Sequence, residues 1–317
     1  MIEFADVKKA KERIEPYIFR TPLLRVPALD DVLNCQVYIK PENLQFTGSF
    51  KYRGAMNKVQ SLTDKEKSAG VVAASSGNHG QGVAYAAKIA GIDATIVMPT
   101  NVNPVKLKNC QNYGAKTLFE GTKSSEREVK MNEIVANEGK TSIHPYGDDF
   151  VKAGQGTMAL EILEDEPDMD FLVVPIGGGG MISGISVGAK GLSEKIKIIG
   201  VEPTGASRYT ESLKIDEPAA LDKVDTIADG TRTDKANPGN FEIIKNYVDE
   251  IVTVDDDEIK DAMKAIVSGA KIIAEPSSSM PVAAAMYNKI KFNKDDKVCF
   301  VISGGNNDLE FLSEIIA

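Results

Sequence analysis

The chain has 317 residues, and 37 Lys or Arg against 46 Asp or Glu give it a formal charge of −9 at pH 7. That length allows one large domain or two medium ones with real cores. The acidic balance without a basic run argues against nucleic-acid binding as the main role. No apolar stretch reaches the roughly 18 residues of a membrane-spanning helix, and the N-terminus has no signal-peptide pattern. We therefore expect a cytoplasmic protein with neither a nucleic-acid nor a membrane partner.

The predicted elements alternate between helix and strand. In chain order they are a helix at 6–14, a strand at 37–40, a helix at 54–62, a strand at 70–74, a helix at 80–90, a strand at 94–98, a helix at 105–112, a strand at 116–119, a helix at 124–138, a strand at 171–176, a helix from 181, and strands at 196–201 and 298–302. The strands are continuous apolar runs, which is typical of parallel strands buried on both faces. We therefore predict an α/β protein with two open lobes and a ligand cleft beyond the carboxyl ends of the strands. Residues 216–240 show the least periodicity of apolar residues, and we interpret them as a surface excursion of the chain.

Cysteine and histidine are too sparse for a metal framework. Cys35, Cys110 and Cys299 form no CxxC pair, which favours three reduced thiols. His79 and His144 are the two histidines of the sequence, so a His-rich metal site is excluded.

A lysine between small polar residues and an aromatic lies in the stretch of residues 45–54, QFTGSFKYRG. The amine of Lys51 reacts with carbonyls only when it is neutral, so such lysines are usually partly desolvated. By itself the stretch is also compatible with a solvated surface lysine.

Four consecutive glycines, Gly177 to Gly180, join a buried strand to a helix that begins near Met181. Their backbone N–H groups can converge on an anion at the helix N-terminus. No Gly-Lys-Ser/Thr follows, and Ser183 stands where a dinucleotide fingerprint needs its third glycine. We therefore predict a site for a single phosphate, with a flexible loop as the alternative.

Two further loops follow predicted strands. The first, residues 75–82 (SSGNHGQG), offers hydroxyls and N–H groups at a helix start and suits a carboxylate, although simple N-capping by Ser or Asn is the other reading. In the second, residues 303–306 (SGGN), the Ser303 hydroxyl could meet a heteroaromatic nitrogen. An imine-forming lysine, one phosphate site, a ring-nitrogen partner and a carboxylate loop together indicate pyridoxal 5′-phosphate with an amino-acid substrate.

These four segments, in this order, resemble the fold type II pyridoxal-phosphate enzymes, most closely the threonine/serine dehydratase and serine racemase family. The resemblance covers essentially the whole chain. It implies two open twisted-sheet lobes of the tryptophan synthase beta-like type, with the cofactor in the cleft between them. The large domain would comprise residues 1–69 and 148–317, the small domain residues 70–147, and the protein would be a homodimer.

The resemblance also implies roles for individual residues. Lys51 would be the Schiff-base lysine and the base at Cα, with Phe50 beside the ring. Cofactor contacts would come from Asn78 to the phenolic oxygen, Ser303 to the pyridine nitrogen, and the backbone of Gly177, Gly178, Gly179, Gly180 and Met181 to the phosphate. The substrate carboxylate would be surrounded by Ser75, Ser76, Asn78 and His79. His79 is thus expected to be a binding-loop residue rather than a general base.

The resemblance leaves the activity open at one residue. The position of Ser76 is typically alanine in the threonine dehydratases but serine in the racemase-like branch, where it acts on the ring face opposite the lysine. We therefore expect an ammonia-lyase that converts L-threonine or L-serine into 2-oxobutanoate or pyruvate, with Lys51 and Ser76 as catalytic residues. A serine racemase and a 3-hydroxyaspartate dehydratase are the alternatives, and a non-catalytic pyridoxal-phosphate carrier is a hypothesis from another class.

The serine racemases of this family bind a divalent metal through a Glu, a backbone carbonyl and an Asp. Those positions are Glu202, Ala206 and Arg208 here. Because an arginine cannot bind a cation, we expect no metal and predict that the Arg208 guanidinium takes its place and pairs with Glu202. If a metal site persists, Glu202 and Ala206 would belong to it.

Overall fold

The structure is a computed structural model that describes residues 1–75 and 77–316. The strands found there are β1 (Leu24–Arg25), β2 (Gln36–Pro41), β3 (Val71–Ala74), β4 (Ala94–Met98), β5 (Lys116–Phe119), β6 (Thr141–Ser142), β7 (Phe171–Pro175), β8 (Lys197–Pro203), β9 (Glu250–Val254) and β10 (Lys297–Ile302). The helices are α1 (Phe4–Ile14), α2 (Asp30–Leu33), α3 (Lys51–Gln60), α4 (Asp64–Ala69), α5 (Asn78–Ala90), α6 (Pro104–Asn112), α7 (Ser124–Glu138), α8 (Asp149–Asp165), α9 (Gly180–Leu192), α10 (Arg208–Ile215), α11 (Pro238–Tyr247), α12 (Asp256–Ala270), α13 (Pro276–Met286) and α14 (Leu309–Ile316).

The strands form two sheets. The larger has the order β1-β2-β10-β7-β8-β9, in which β1 runs antiparallel to β2 and all other neighbours are parallel. The smaller has the order β5-β4-β3-β6 and is parallel throughout. Its strands come from one continuous segment, residues 71–142, and the larger sheet uses the chain before and after that segment. The predicted α/β class with two open sheets is confirmed.

Helices cover both faces of the larger sheet. Along β10, the side chains of Val298, Phe300 and Ile302 enter one buried cluster with α12 and α13. Cys299 and Val301 enter the other cluster, with α8 and α9. This alternation follows from the two-residue period of a strand. Burial on both faces explains why the strand reads as an uninterrupted apolar run.

The observed element bounds differ from the predicted ones mainly at helix starts. Helix α3 begins at Lys51 and α5 at Asn78, so the functional residues that precede the predicted helices lie in their first turns. The elements without a predicted counterpart are helices α2, α4, α8 and α10 to α14 and strands β1, β6 and β9. The prediction of a surface excursion at 216–240 is wrong around Thr226, Ala228 and Thr231, which are buried. No helix in the described part of the chain is long and apolar enough to cross a membrane.

Candidate active site

A cavity of about 310 Å³ lies where strands of both sheets end. Segments that follow β3, β7 and β10 form its walls, as the rule for open parallel sheets predicts. It brings together Phe50, Lys51, Ser75, Asn78, His79, Gly177, Gly178, Gly179, Gly180, Met181 and Ser303. All the predicted cofactor and substrate residues within the described chain therefore meet in one place. A second groove, of about 440 Å³, lies between α1 and α8 and contains none of them.

Lys51 is placed at the first residue of α3, with its side chain partly buried in the cavity. Its Nζ donates a hydrogen bond to the Pro145 carbonyl oxygen at 2.9 Å and lies 5.1 Å from the centre of the Phe50 ring. No carboxylate of the described chain pairs with it. Burial lowers its pKa from 10.5 to about 8, so a substantial fraction of the amine is neutral near physiological pH.

The carbonyl groups of the glycine loop accept hydrogen bonds from side chains that do not line the cavity, which leaves the N–H groups of the loop available to the cavity. Gly178 O accepts hydrogen bonds from Tyr209 Oη at 2.9 Å and from Asn240 Nδ2 at 2.7 Å, and Gly177 O accepts one from Arg208. Gly179 has a φ of +83°, which favours glycine. No acceptor in residues 1–75 and 77–316 bonds the N–H groups of Gly178 to Met181. Together with the N-terminus of α9 they form a site for an anion.

The loop before α5 holds its own side chains in place. Ser75 Oγ accepts hydrogen bonds from Gly77 N at 3.2 Å and Gly80 N at 2.9 Å, so it caps the helix while its hydroxyl proton remains to be donated. Capping and substrate binding are therefore compatible at Ser75. Ser76 lies outside the described residues.

His79 is buried and neutral. Its Nε2 lies 2.8 Å from the Ile143 carbonyl oxygen, and its Nδ1 has no partner in the described chain. Burial, with a smaller contribution from nearby Lys51, lowers its pKa to about 3. Because a carbonyl only accepts, the proton of the neutral ring is on Nε2. Such an imidazole is a very weak base.

Asn78 is bound to a buried acid that also lines the cavity. Its Nδ2 donates to both carboxylate oxygens of Glu275, at 2.8 and 3.0 Å, and its Oδ1 accepts from Asn306 Nδ2 at 2.9 Å. Burial and then nearby Asp229 raise the pKa of Glu275. The structure gives Glu275 the role of holding the Asn78 amide.

Glu202, Ala206 and Arg208, which stand at the metal-site positions of the serine racemases, are not arranged as expected. Glu202 accepts hydrogen bonds from Tyr209 N and Thr210 N, at 3.0 and 2.8 Å, at the start of α10. Arg208 makes no ion pair with it. The guanidinium instead donates to the carbonyl oxygens of Gly177, Ala206 and Thr231. The predicted Arg208–Glu202 pair is therefore wrong as a direct contact, although Arg208 does occupy the Ala206 carbonyl that a metal would need.

Glu202 and Arg208 are both buried, and burial is the largest influence on the pKa of each. Burial raises the pKa of Glu202 and lowers that of Arg208, so for each group the loss of solvation outweighs the attraction of the other. In the described part of the chain, no group of three or more His, Cys, Asp or Glu side chains is arranged to hold a metal ion.

Several cavity residues were missed or left without a role by the sequence reasoning. Tyr146 lies against the glycine loop, and a Cβ at Gly180 would approach its backbone to 2.8 Å. Lys106 of α6 forms an ion pair of 2.5 Å with Asp229. Arg127 of α7 lines the far wall. No local motif marks them, because each reaches the cavity from a different part of the chain.

The model of the family described as pyridoxal-phosphate dependent enzyme matches residues 14–304. The chain belongs to this family. It is 42% identical over its whole length to the catabolic L-threonine dehydratase TdcB of Staphylococcus aureus strain USA300, 92% of which is covered.

Solved structures agree with that assignment. The structure of maize serine racemase matches with a TM-score of 0.95 and 36% identity, covering 98% of this chain and 96% of that one. The processed form of threonine deaminase isoform 2 from Solanum lycopersicum matches with a TM-score of 0.91 and 33% identity, covering 98% and 91%. The fold type II pyridoxal-phosphate fold is confirmed.

The cavity fits pyridoxal phosphate, the cofactor of this enzyme family. The unpartnered N–H groups of Gly178 to Met181 suit its phosphate, and the low pKa of Lys51 suits a covalent bond to its aldehyde. When bound, the cofactor supplies a conjugated ring that can stabilise negative charge on a substrate carbon.

Proposed function

We propose that the protein is an ammonia-lyase that converts L-threonine, L-serine or both into 2-oxobutanoate or pyruvate and ammonia. The observation that carries the proposal is the meeting of Lys51, with its lowered pKa, and the glycine loop in one cavity. The identity to a catabolic L-threonine dehydratase over the whole chain supports the same reaction.

Each group in the cavity has a separate task in this reaction. The neutral amine of Lys51 removes the proton from the substrate Cα, since it is the group with a near-neutral pKa at that position. The Ser75 hydroxyl proton and the N-terminus of α5 orient the substrate carboxylate. His79 stays neutral and supports the loop through Ile143.

The proposal is tested with purified, pyridoxal-phosphate-loaded protein. L-Threonine, L-serine, D-serine and L-threo-3-hydroxyaspartate are incubated with EDTA or magnesium, and keto acid and enantiomers are measured together. We expect fast formation of keto acid from L-threonine or L-serine, and none with Lys51→Ala. A yellow protein that turns over no hydroxy amino acid would overturn the proposal in favour of a cofactor carrier.

Serine racemisation is the first alternative, and the matching racemase structure keeps it open. It depends on Ser76 as the second acid–base group. With Ser76→Ala, elimination from L-serine should be less affected than racemisation. D-serine that accumulates from L-serine faster than pyruvate would make racemisation the main reaction.

A 3-hydroxyaspartate dehydratase is the second alternative, and one cation at the cavity wall favours it. A second substrate carboxylate needs a cation, and three buried cations do not line the cavity: Arg53 pairs with Glu42 and Glu161, Lys152 pairs with Asp149, and Arg208 donates to backbone carbonyls. Arg127 is buried, lines the cavity and has no carboxylate ion pair in the described chain. Its terminal nitrogens donate to the Thr122 and Lys123 carbonyls and to Ser124 Oγ, and its Nε has no partner there. Arg127→Gln should lower turnover of 3-hydroxyaspartate much more than that of L-threonine.

We further propose that catalysis needs no divalent metal, because the Arg208 guanidinium already bonds the Ala206 carbonyl. Equal activity in EDTA and in magnesium is expected, and activation by magnesium would contradict it.

The lobe boundaries, the assembly and the location remain proposals as well. A small domain of residues 70–147 within a large domain of 1–69 and 148–317 is supported by the two sheets. A homodimer is proposed from the family resemblance. The three buried, free cysteines support a cytoplasmic location.

A further inference from the structure

Ser278 of α13 is a fully buried serine outside the cavity that contacts a residue lining it. Its Oγ lies 2.8 Å from Ser303 Oγ and accepts a hydrogen bond of 2.8 Å from Gly304 N. Ser278 is 0% exposed, so water does not reach the hydroxyl. Any proton it carries must therefore be donated to a protein atom.

The direction of the Ser278–Ser303 hydrogen bond follows from the available partners. A serine hydroxyl has one proton and can accept two hydrogen bonds. In the described part of the chain, the one acceptor in reach of the Ser278 proton is Ser303 Oγ, because its other contact, Gly304 N–H, is a donor. Ser278 therefore donates and Ser303 accepts. The proton of Ser303 is then free to be donated into the cavity.

We infer that Ser278 is a positioning residue that fixes Ser303 as a hydrogen-bond donor toward an unprotonated ring nitrogen of the cofactor. The inference rests on the proposed function for the placement of that nitrogen at Ser303. The chain Gly304 N–H to Ser278 to Ser303 runs in one direction, so each bond polarises the next. Ser303 also accepts the Phe50 N–H through its backbone oxygen at 2.9 Å, which ties the same residue to the segment that carries Lys51.

Ser279 provides a matched control. It is also a fully buried serine of α13, and its Oγ donates to the Glu275 carbonyl oxygen at 3.1 Å without contact to Ser303. Ser279→Ala removes an equivalent buried hydroxyl from the same helix. Any effect through helix packing should be similar in both variants, whereas an effect on Ser303 should be specific to Ser278→Ala.

The test compares wild type, Ser278→Ala, Ser279→Ala, Ser303→Ala and the Ser278→Ala/Ser303→Ala double variant, all loaded with pyridoxal phosphate. The readouts are cofactor affinity and the pH dependence of the visible absorbance of the bound cofactor. With Ser278→Ala we expect affinity to fall about five-fold, as for one neutral hydrogen bond. The absorbance transition should move to higher pH, because a weaker bond withdraws less electron density from the ring. Ser279→Ala should change neither.

The double variant separates positioning from general packing. If Ser278 acts through Ser303, its loss adds no further shift when Ser303 is already alanine. Ser278→Cys, which keeps a weak donor, should give an intermediate shift and covers the case in which the alanine variant folds poorly. An unchanged absorbance transition in Ser278→Ala, or a full additional shift in the double variant, would overturn the inference. Lack of turnover by a wild type that still binds the cofactor would overturn the proposed function alone.

Discussion

At Lys51, burial without a nearby carboxylate lowers the pKa of the amine to about 8. Lys40 is also fully buried, but it has partners: it donates to Glu161 at 2.6 Å and to the Thr21 carbonyl oxygen at 2.7 Å. Lys40 therefore serves the structure, and Lys51 remains available for chemistry.

The lowered pKa of Lys51 predicts how the cofactor is taken up. Since the neutral amine attacks the aldehyde, the rate of incorporation into cofactor-free protein should rise with pH and level off above a midpoint of about 8. Stopped-flow absorbance across a pH series measures this. Lys51→Arg, which keeps a cation, should show no covalent uptake. A rate that still rises steeply above about pH 10, near the ordinary lysine pKa, would contradict the prediction.

His79 predicts a loss of stability in acid. Its pKa is about 3 in the folded protein and near 6.5 when the chain unfolds, so below pH 6.5 the unfolded state binds the proton and the folded state does not. Its contribution to stability is therefore present above pH 6.5 and is lost as the pH falls toward 3, by about 1.4 kcal/mol per pH unit.

His79→Gln keeps a donor for the Ile143 carbonyl and removes the titrating group. Between pH 6 and 4, we expect its free energy of unfolding to fall by about 2 kcal/mol less than that of the wild type. Urea unfolding of cofactor-free protein at pH 4, 5, 6 and 8 measures this, and the pH 8 values serve as the reference. Identical pH dependence in both proteins would show that His79 is not held neutral.

Between elements, the backbones of α8 and α9 approach each other closely at Gly184. A Cβ on Gly184 would overlap the carbonyl oxygen of Lys152 and lie 2.7 Å from Gly156 N. The two backbones can touch only because these positions carry no side chain. That contact sets the position of α9 relative to α8, and with it the position of the N–H groups at the start of α9.

Gly184→Ala should therefore destabilise the protein by about 1–3 kcal/mol, the usual range for overpacking. It should also weaken phosphate binding in cofactor-free protein. Gly239→Ala is the control, because a Cβ there has its nearest neighbour at 3.5 Å, an ordinary contact distance, in α11. Thermal unfolding measures both variants. Equal melting temperatures for the two would show that the helices can separate without cost.

Across the whole molecule, the two sheets are joined at the cavity by polar contacts. Lys106 of α6 pairs with Asp229 at 2.5 Å, and Asn78 of α5 with Glu275. The first contact connects the chain of the smaller sheet to the segment that follows β8 of the larger sheet. The second connects it to the segment that precedes β10.

Lys106→Met keeps the aliphatic stem and removes the charge that pairs with Asp229 at the cavity wall. Because Asp229 is 41% exposed, the pair contributes at most about 1 kcal/mol. We expect KM for the amino acid to rise about two- to five-fold, with a smaller change in kcat and a weaker dependence on salt. Lys223→Met, which breaks the exposed Lys223–Asp225 pair, is the control. A large fall in kcat with constant KM would show a role in the chemistry instead.

The sequence by itself determined the fold class, the cofactor and the loops that line the cavity. These signals are local: the apolar runs at β4 and β10 mark parallel strands, and the glycines at 177–180 mark an anion site in four consecutive residues. The tertiary structure decided what lies between such segments. Glu275 is bound to Asn78 across 197 residues, Ser278 to Ser303 across 25, and Arg208 to Gly177 across 31. A pattern within one segment cannot predict these pairs, because a hydrogen bond depends on distance and direction between side chains that only the packing of the sheets brings together.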